Sequence, residues 1–231
     1  MSDSCWSFFV SSSGPLVDIV MPMDGQITSC DDQVILVSIT DGNGVDESTI
    51  QLVVDGATYT TANPQLAYYD DTLRFTPSSA WADGDTVDVQ LVSADDVLGT
   101  PSPDVPASWS FIVDLSPPYV SDVHPAAGSG FSTPDVSIDV LLTDDISGVD
   151  PFTIQVRVGT MTYSYPAGDM AYHDDTLSFS LSGLGYVPLD GESLQICVQG
   201  ASDQPDICPP NTMEPYCFRY YFDYRGPQVN L

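Results

Sequence analysis

The chain states one pattern twice. Val45-Asp46-Glu47-Ser48-Thr49-Ile50-Gln51 returns as Val149-Asp150-Pro151-Phe152-Thr153-Ile154-Gln155. Tyr68-Tyr69-Asp70-Asp71-Thr72-Leu73-Arg74-Phe75 returns as Tyr172-His173-Asp174-Asp175-Thr176-Leu177-Ser178-Phe179. Asp83-Gly84-Asp85 returns as Asp190-Gly191-Glu192, and Trp109-Ser110-Phe111-Ile112-Val113-Asp114 as Phe218-Arg219-Tyr220-Tyr221-Phe222-Asp223. The offset stays between 104 and 109 residues. Such a period is too long for a solenoid repeat and is the size of a small β-sandwich. Two tandem copies of one domain point to spacing or adhesion rather than chemistry.

The pattern overruns both ends. Cys5-Trp6-Ser7-Phe8-Phe9-Val10 matches the closing strand at Ser108 to Val113, and Gly226-Pro227-Gln228-Val229 matches the openings at Pro117-Pro118-Tyr119-Val120 and Gly14-Pro15-Leu16-Val17. The sequence therefore divides into residues 1–13, a closing strand of a preceding domain or one donated to a neighbour; two whole domains at 14–116 and 117–224; and residues 225–231, the start of a following domain or an inter-subunit linker. Trp6, Phe8 and Val10 form an apolar strand face with no domain of its own to cover, and such a strand seeks an edge. Cys5, Trp6, Phe8, Val10, Pro227 and Val229 are the expected assembly residues, joining copies of the chain or adjacent domains head to tail. Head-to-tail contacts that do not close make a filament, and Cys5 is placed to lock such a joint.

Within each copy no amphipathic helix is found. Segments alternate with period two and are broken by Gly, Pro, Asn and Asp, which is strand patterning. The expected core includes Ile35, Val37 and Ile39 with counterparts Ile138, Val140 and Leu142. It continues with Val87, Val89 and Leu91 (Leu194, Ile196, Val198) and Trp109, Phe111 and Val113 (Phe218, Tyr220, Phe222). About seven strands per copy result, the count of an immunoglobulin-like sandwich. The linker Asp114-Leu115-Ser116-Pro117-Pro118 carries two prolines, which restrict bending.

The stretches TDGNGVDESTIQLVVDG and TDDISGVDPFTIQVRVG, the turns DDTLRF and DDTLSF, and the segments WADGDTVDVQL and WSFIVDLSPP resemble bacterial immunoglobulin-like repeats of large secreted and cell-surface proteins. The resemblance covers nearly the whole chain. It implies an all-β fold of two tandem immunoglobulin-like sandwiches and a non-catalytic role outside the cell or on its surface. That role is a stalk or filament subunit or, alternatively, an adhesin or a carbohydrate-binding accessory module.

Charge narrows the partners. There are 33 acidic residues against 4 basic ones, a net charge of -29. Phosphate binding needs a cationic surface, so nucleic acid is excluded as a partner, and an anionic membrane surface repels the chain. No apolar run is long enough for a membrane-spanning helix, and Met1-Ser2-Asp3-Ser4 lacks the charged start of a signal peptide. Only Glu47, Glu192 and Glu214 are glutamate; the rest of the acid is aspartate, which suits turns and is a common calcium ligand.

In an immunoglobulin-like sandwich the second-to-third, fourth-to-fifth and sixth-to-seventh strand connections share one end. They hold Asp41, Asp46, Asp70, Asp71, Asp95 and Asp96 in the first copy. In the second they hold Asp144, Asp145, Asp150, Asp174, Asp175, Asp203 and Asp206. Converging carboxylates repel unless a cation bridges them. The expected calcium ligands are Asp114, Asp144, Asp145, Asp150, Asp174, Asp175 and Asp203, by analogy with the calcium-stiffened junctions of cadherin-like arrays. The competing reading is that these are solvated turn residues, or an adaptation to high salt.

No catalytic residues are expected: there is no G-x-S-x-G motif, and His173 replaces Tyr69 in an equivalent turn. Tyr68, Tyr69, Tyr172, Trp81 and Tyr186 are the residues that would line a face for surface glycans. The five cysteines show no metal spacing. A cross-strand Cys197–Cys217 bridge fits two outward-facing positions on neighbouring strands; Cys208–Cys217 and Cys197–Cys208 stay open. Any bridge implies an oxidising compartment.

Overall fold

The computed structural model describes residues 13–226. They form two compact units. The first takes residues up to Leu115 together with Asp206–Cys208; the second takes Ser116–Pro205 and the chain from Pro209 onward.

The first unit has nine strands: β1 (Leu16–Met21), β2 (Ile27–Thr28), β3 (Ile35–Thr40), β4 (Val45–Val54), β5 (Ala57–Thr60), β6 (Leu66–Tyr69), β7 (Thr72–Phe75), β8 (Thr86–Asp96) and β9 (Ala107–Val113). They build a four-stranded sheet in the order β1-β3-β7-β6 and a five-stranded sheet in the order β2-β9-β8-β4-β5. The second unit repeats this with β10 (Tyr119–His124), β11 (Gly130–Phe131), β12 (Ser137–Thr143), β13 (Val149–Val158), β14 (Met161–Ser164), β15 (Ala171–His173), β16 (Thr176–Ser180), β17 (Ser193–Asp203) and β18 (Tyr216–Phe222). Its sheets run β10-β12-β16-β15 and β11-β18-β17-β13-β14.

The period-two residues do what alternation requires. Ile35, Val37, Ile39, Val87, Val89, Leu91, Trp109, Phe111 and Val113 are all buried, and so is every one of their counterparts in the second unit. Each such side chain contributes roughly 1.5–3 kcal/mol of hydrophobic free energy. Among the described residues no helix is long and apolar enough to cross a membrane.

The repeated Asp-Asp pairs are two-residue hairpin turns. Tyr69 pairs with Thr72 and His173 with Thr176, so only Asp70-Asp71 and Asp174-Asp175 lie between the strands. Their φ angles are 46° and 59°, and 45° and 57°. Positive φ at both central positions is what a type I′ hairpin turn requires, and aspartate tolerates it better than most residues.

The repeated Val-Asp-x-x-Thr-Ile-Gln motif is a bulge with its own plug. The register of β4 on β8 breaks between Asp46 and Gln51, and that of β13 on β17 between Asp150 and Gln155. Across the first gap, Thr49 Oγ1 donates to Asp46 O at 2.7 Å and accepts from Asp95 N at 2.8 Å. Across the second, Thr153 Oγ1 donates to Asp150 O at 2.7 Å and accepts from Ser202 N at 2.8 Å. The hydroxyl replaces the ladder bonds that the bulge removes.

Replacing either threonine by valine keeps the shape and removes the acceptor. Thr49→Val and Thr153→Val should each lower the unfolding free energy by about 1–3 kcal/mol in chemical denaturation. An unchanged midpoint would mean that water serves these amides equally well.

Candidate functional site

Strand register carries the acidic connections of each unit to one end. In the first unit, Ile39 N donates to Asp71 O at 2.9 Å and Val45 pairs with Asp96. The connection after β3, the β6–β7 turn and the end of β8 therefore meet. Leu16 pairs with Thr40, so β1 starts at this same end. In the second unit Leu142 N donates to Asp175 O at 2.9 Å, Val149 pairs with Asp203, and Tyr119 pairs with Thr143.

At the acidic end of the second unit, Asp144 Oδ1 accepts three backbone N–H bonds, from Ile146 (3.2 Å), Ser147 (3.0 Å) and Gly148 (2.9 Å). Asp203, 2 % exposed, accepts from Asn211 N at 2.6 Å and from Asn211 Nδ2 at 2.5 Å. One carboxylate oxygen of Asp144 and one of Asp203 lie within 4.8 Å of each other, a spacing that could serve a metal ion. Asp145 Oδ1 accepts from Tyr119 Oη at 3.2 Å. Asp150 Oδ1 accepts from Phe152 N at 3.0 Å. Asp174 and Asp175 form the β15–β16 turn, where Asp174 also pairs with the exposed His173 at 2.9 Å.

The first unit offers a counterpart. Asp96 holds the position of Asp203 and is 1 % exposed. Its Oδ1 accepts from Leu98 N at 2.9 Å and Thr100 N at 2.6 Å. Its Oδ2 is buried with no hydrogen-bond partner. Asp41 Oδ1, in the preceding connection, accepts from Asn43 N at 2.7 Å. Asp114 follows β9, is 1 % exposed, and its N–H donates to Thr28 O at 2.8 Å.

The tyrosines report the field at these ends. Tyr68 donates to Ile39 O at 2.8 Å; burial first, then the Asp71 charge and hydrogen bond, push its hydroxyl up to about 12. Tyr172 donates to Leu142 O at 2.9 Å and is raised by burial, by Asp175 and by the Asp144 charge. Tyr119 is raised chiefly by the Asp145 charge.

The aromatic residues expected to line a glycan face are mostly tied into the sandwiches. Besides Tyr68 and Tyr172, Trp81 Nε1 donates to Gln33 O at 3.0 Å and its ring stands edge-on to Phe111. Tyr186 donates to Glu192 Oε1 at 2.6 Å. Tyr69 is exposed.

Two disulfides are present among the described residues. Cys197 and Cys217 face each other across β17 and β18. Cys197 lies on the outer side of its strand yet is fully buried, because Arg157 reaches over it with Nη2 at 2.9 Å from Sγ. Cys208 pairs with Cys30, a partner outside the pairings that spacing had left open. The segment around it adds to the edge of the first unit: Ile207 bridges Thr28 in parallel, Asp206 N donates to Ile27 O at 2.9 Å, and Ile27 N donates to Asp206 Oδ2 at 2.8 Å. Cys5, Trp6, Phe8, Val10, Pro227 and Val229 lie outside the described residues.

The strand orders β1-β3-β7-β6 and β10-β12-β16-β15, each facing a sheet built on the other strands of its unit, are those of an immunoglobulin-like β-sandwich. The chain holds two of them in tandem. No family model and no curated protein matches the sequence. Among solved structures, the chain is similar to fibronectin(III)-like modules of Clostridium thermocellum CbhA, with 14% identity over 94% of this chain and 99% of that one and a TM-score of 0.35. It is also similar to the N-terminal eight Ig domains of Down Syndrome Cell Adhesion Molecule, at 10% identity, 91% and 24% coverage and a TM-score of 0.40. A third is the Ig1-2 module of the Drosophila receptor protein tyrosine phosphatase DLAR, at 10% identity, 90% and 98% coverage and a TM-score of 0.27.

Because the raised tyrosine hydroxyls bind protons in the folded state that the unfolded chain has already lost, stability should fall as pH rises from about 10 towards about 12. Tyr68→Phe should flatten that fall in alkaline denaturation. Absorbance titration should show Tyr68, Tyr186 and Tyr220 ionising near 12 rather than 10.

Proposed function

We propose that the chain is a non-catalytic structural module of an extracellular assembly: a tandem immunoglobulin-like stalk or filament subunit that joins its neighbours head to tail and holds calcium at its acidic ends. One observation carries the reading. The same sandwich is made twice, and each time three connections deliver aspartates to the end where the chain enters. Two disulfides support an oxidising compartment. The charge of -29 supports partners other than nucleic acid or anionic membrane. Calcium is supported by the closeness of Asp144 and Asp203 and by the buried, unpartnered Oδ2 of Asp96, since a buried carboxylate oxygen is costly without a donor or cation.

Electron microscopy of purified native material, with and without a calcium chelator, tests both parts. Fibres with a repeat of two domains support head-to-tail assembly, and their loss in chelator places calcium at the joints. Dispersed particles in both conditions would reject the filament reading. Calcium at a hundredfold excess over its dissociation constant should add about 2.7 kcal/mol to the unfolding free energy. Asp144→Asn with Asp203→Asn should abolish that gain; it should also lower the metal-free stability, because either orientation of the new amide at 203 sets its NH2 group against an N–H donor of Asn211. A gain that survives the double substitution would move the ion elsewhere.

A further inference from the structure

The Cys30–Cys208 bridge joins residues 178 apart in sequence. Cys30 follows β2, near the start of the first sandwich. Cys208 lies between β17 and β18, near the end of the second stretch of chain. Everything from residue 31 to residue 207 is thus enclosed in one covalent loop: β3 to β9, the linker, and β10 to β17.

We infer that this bridge is a mechanical shortcut, which carries tension along the assembly past residues 31–207 so that the chain between the two cysteines cannot be drawn out. The inference rests on the reading above, in which neighbours pull on the chain from both sides. Tension entering before Cys30 and leaving after Cys208 has a path through the sulfur–sulfur bond that cannot lengthen. The strands β3 to β16, inside the loop, are bypassed by it, whatever the strength of their hydrogen bonds.

The surroundings of the bridge fit that role. Cys30 N donates to Thr28 Oγ1 at 3.1 Å. Ser29 N donates to Ile207 O at 3.2 Å, and Ile207 N to Ile27 O at 3.1 Å. Both cysteines are therefore seated on the short β2 edge, and β2 is itself paired in parallel with β9. The second bridge extends the protection. Between Cys208 and Cys217 the load has two arms, one along the chain and one back through β17 and the Cys197–Cys217 bond. Of the strands in the described residues, only β1, β2 and the part of β18 after Cys217 remain outside every covalent loop.

Single-molecule stretching of the full chain between handles at its two ends tests the inference. For the oxidised protein the total extension at high force should stop short, and reduction by a soluble dithiol after folding should release residues 31–207, about 600 Å of additional extended chain. The double variant Cys30→Ser, Cys208→Ser should show most of that extension without reductant, short only of the residues that the Cys197–Cys217 bond still encloses. The control Cys197→Ser, Cys217→Ser should keep the short one. Should the first variant fail to fold, the reduced wild-type protein supplies the same comparison. Equal extensions before and after reduction, whether both long or both short, would overturn the shortcut. Because single molecules are stretched, this outcome is independent of whether the native material forms fibres. A short oxidised extension beside dispersed particles in the microscope would retain the shortcut and remove the filament.

Discussion

Each sandwich depends on one constraint: two sheets must bury facing stripes of apolar side chains drawn from every second residue. Phe111, Leu52 and Ile50 in the first unit, and Tyr220, Phe222 and Ile154 in the second, are fully enclosed. Once those stripes meet, little else is negotiable. Strand direction is set by antiparallel pairing, register is set because a one-residue slip would turn the stripe to water, and the connections are pushed to the two ends. Short turns between paired strands are made at both ends, as Asp70-Asp71 shows at one and Asp55-Gly56 at the other, and turns are where aspartate is most useful to a backbone.

That logic explains which features were legible in the sequence. The period-two runs named the buried positions because burial and alternation are the same geometric fact in a strand. Asp70-Asp71 and Asp174-Asp175 were legible as tight turns, since aspartate tolerates positive φ. The two-residue strands β2 and β11 were not, because two residues carry no period. Nor were the edge strands β5 and β14, whose side chains are largely exposed and so obey no burial pattern. The buried state of Cys197 was hidden by Arg157, a cover supplied from the neighbouring strand β13. Cys30 as partner of Cys208 was beyond local spacing altogether, since nothing within reach of either cysteine in sequence marks the other.

The candidate metal residues divide along the same line. That aspartates occupy the connections is visible in the chain. That Asp144 and Asp203 approach each other depends on how long the β12–β13 and β17–β18 connections are and how each folds back, which composition does not record. Asp96 illustrates the point from the other side. In the sequence it is one of a pair, Asp95-Asp96, with nothing to rank them. The structure separates them, since only Asp96 is buried, with its Oδ1 engaged by two amides.

The turn reading and the calcium reading of these aspartates are less opposed than they first look. A carboxylate that accepts backbone N–H bonds stabilises its turn and tolerates crowding, because the amide dipoles partly offset its charge. The same bonds fix its orientation. Asp144, held by three amides through one oxygen, has lost most of its freedom before any ion arrives, so a cation meeting it has less ordering to impose. An aspartate chosen for a turn is thereby preorganised as a ligand. In a chain with this excess of acid, the electrostatic cost of bringing two such turns together is what makes a bound cation useful. Asp46 and Asp150 show the same device on a smaller scale: each accepts from the backbone two residues on, Ser48 N and Phe152 N, and Asp46 from Ser48 Oγ as well.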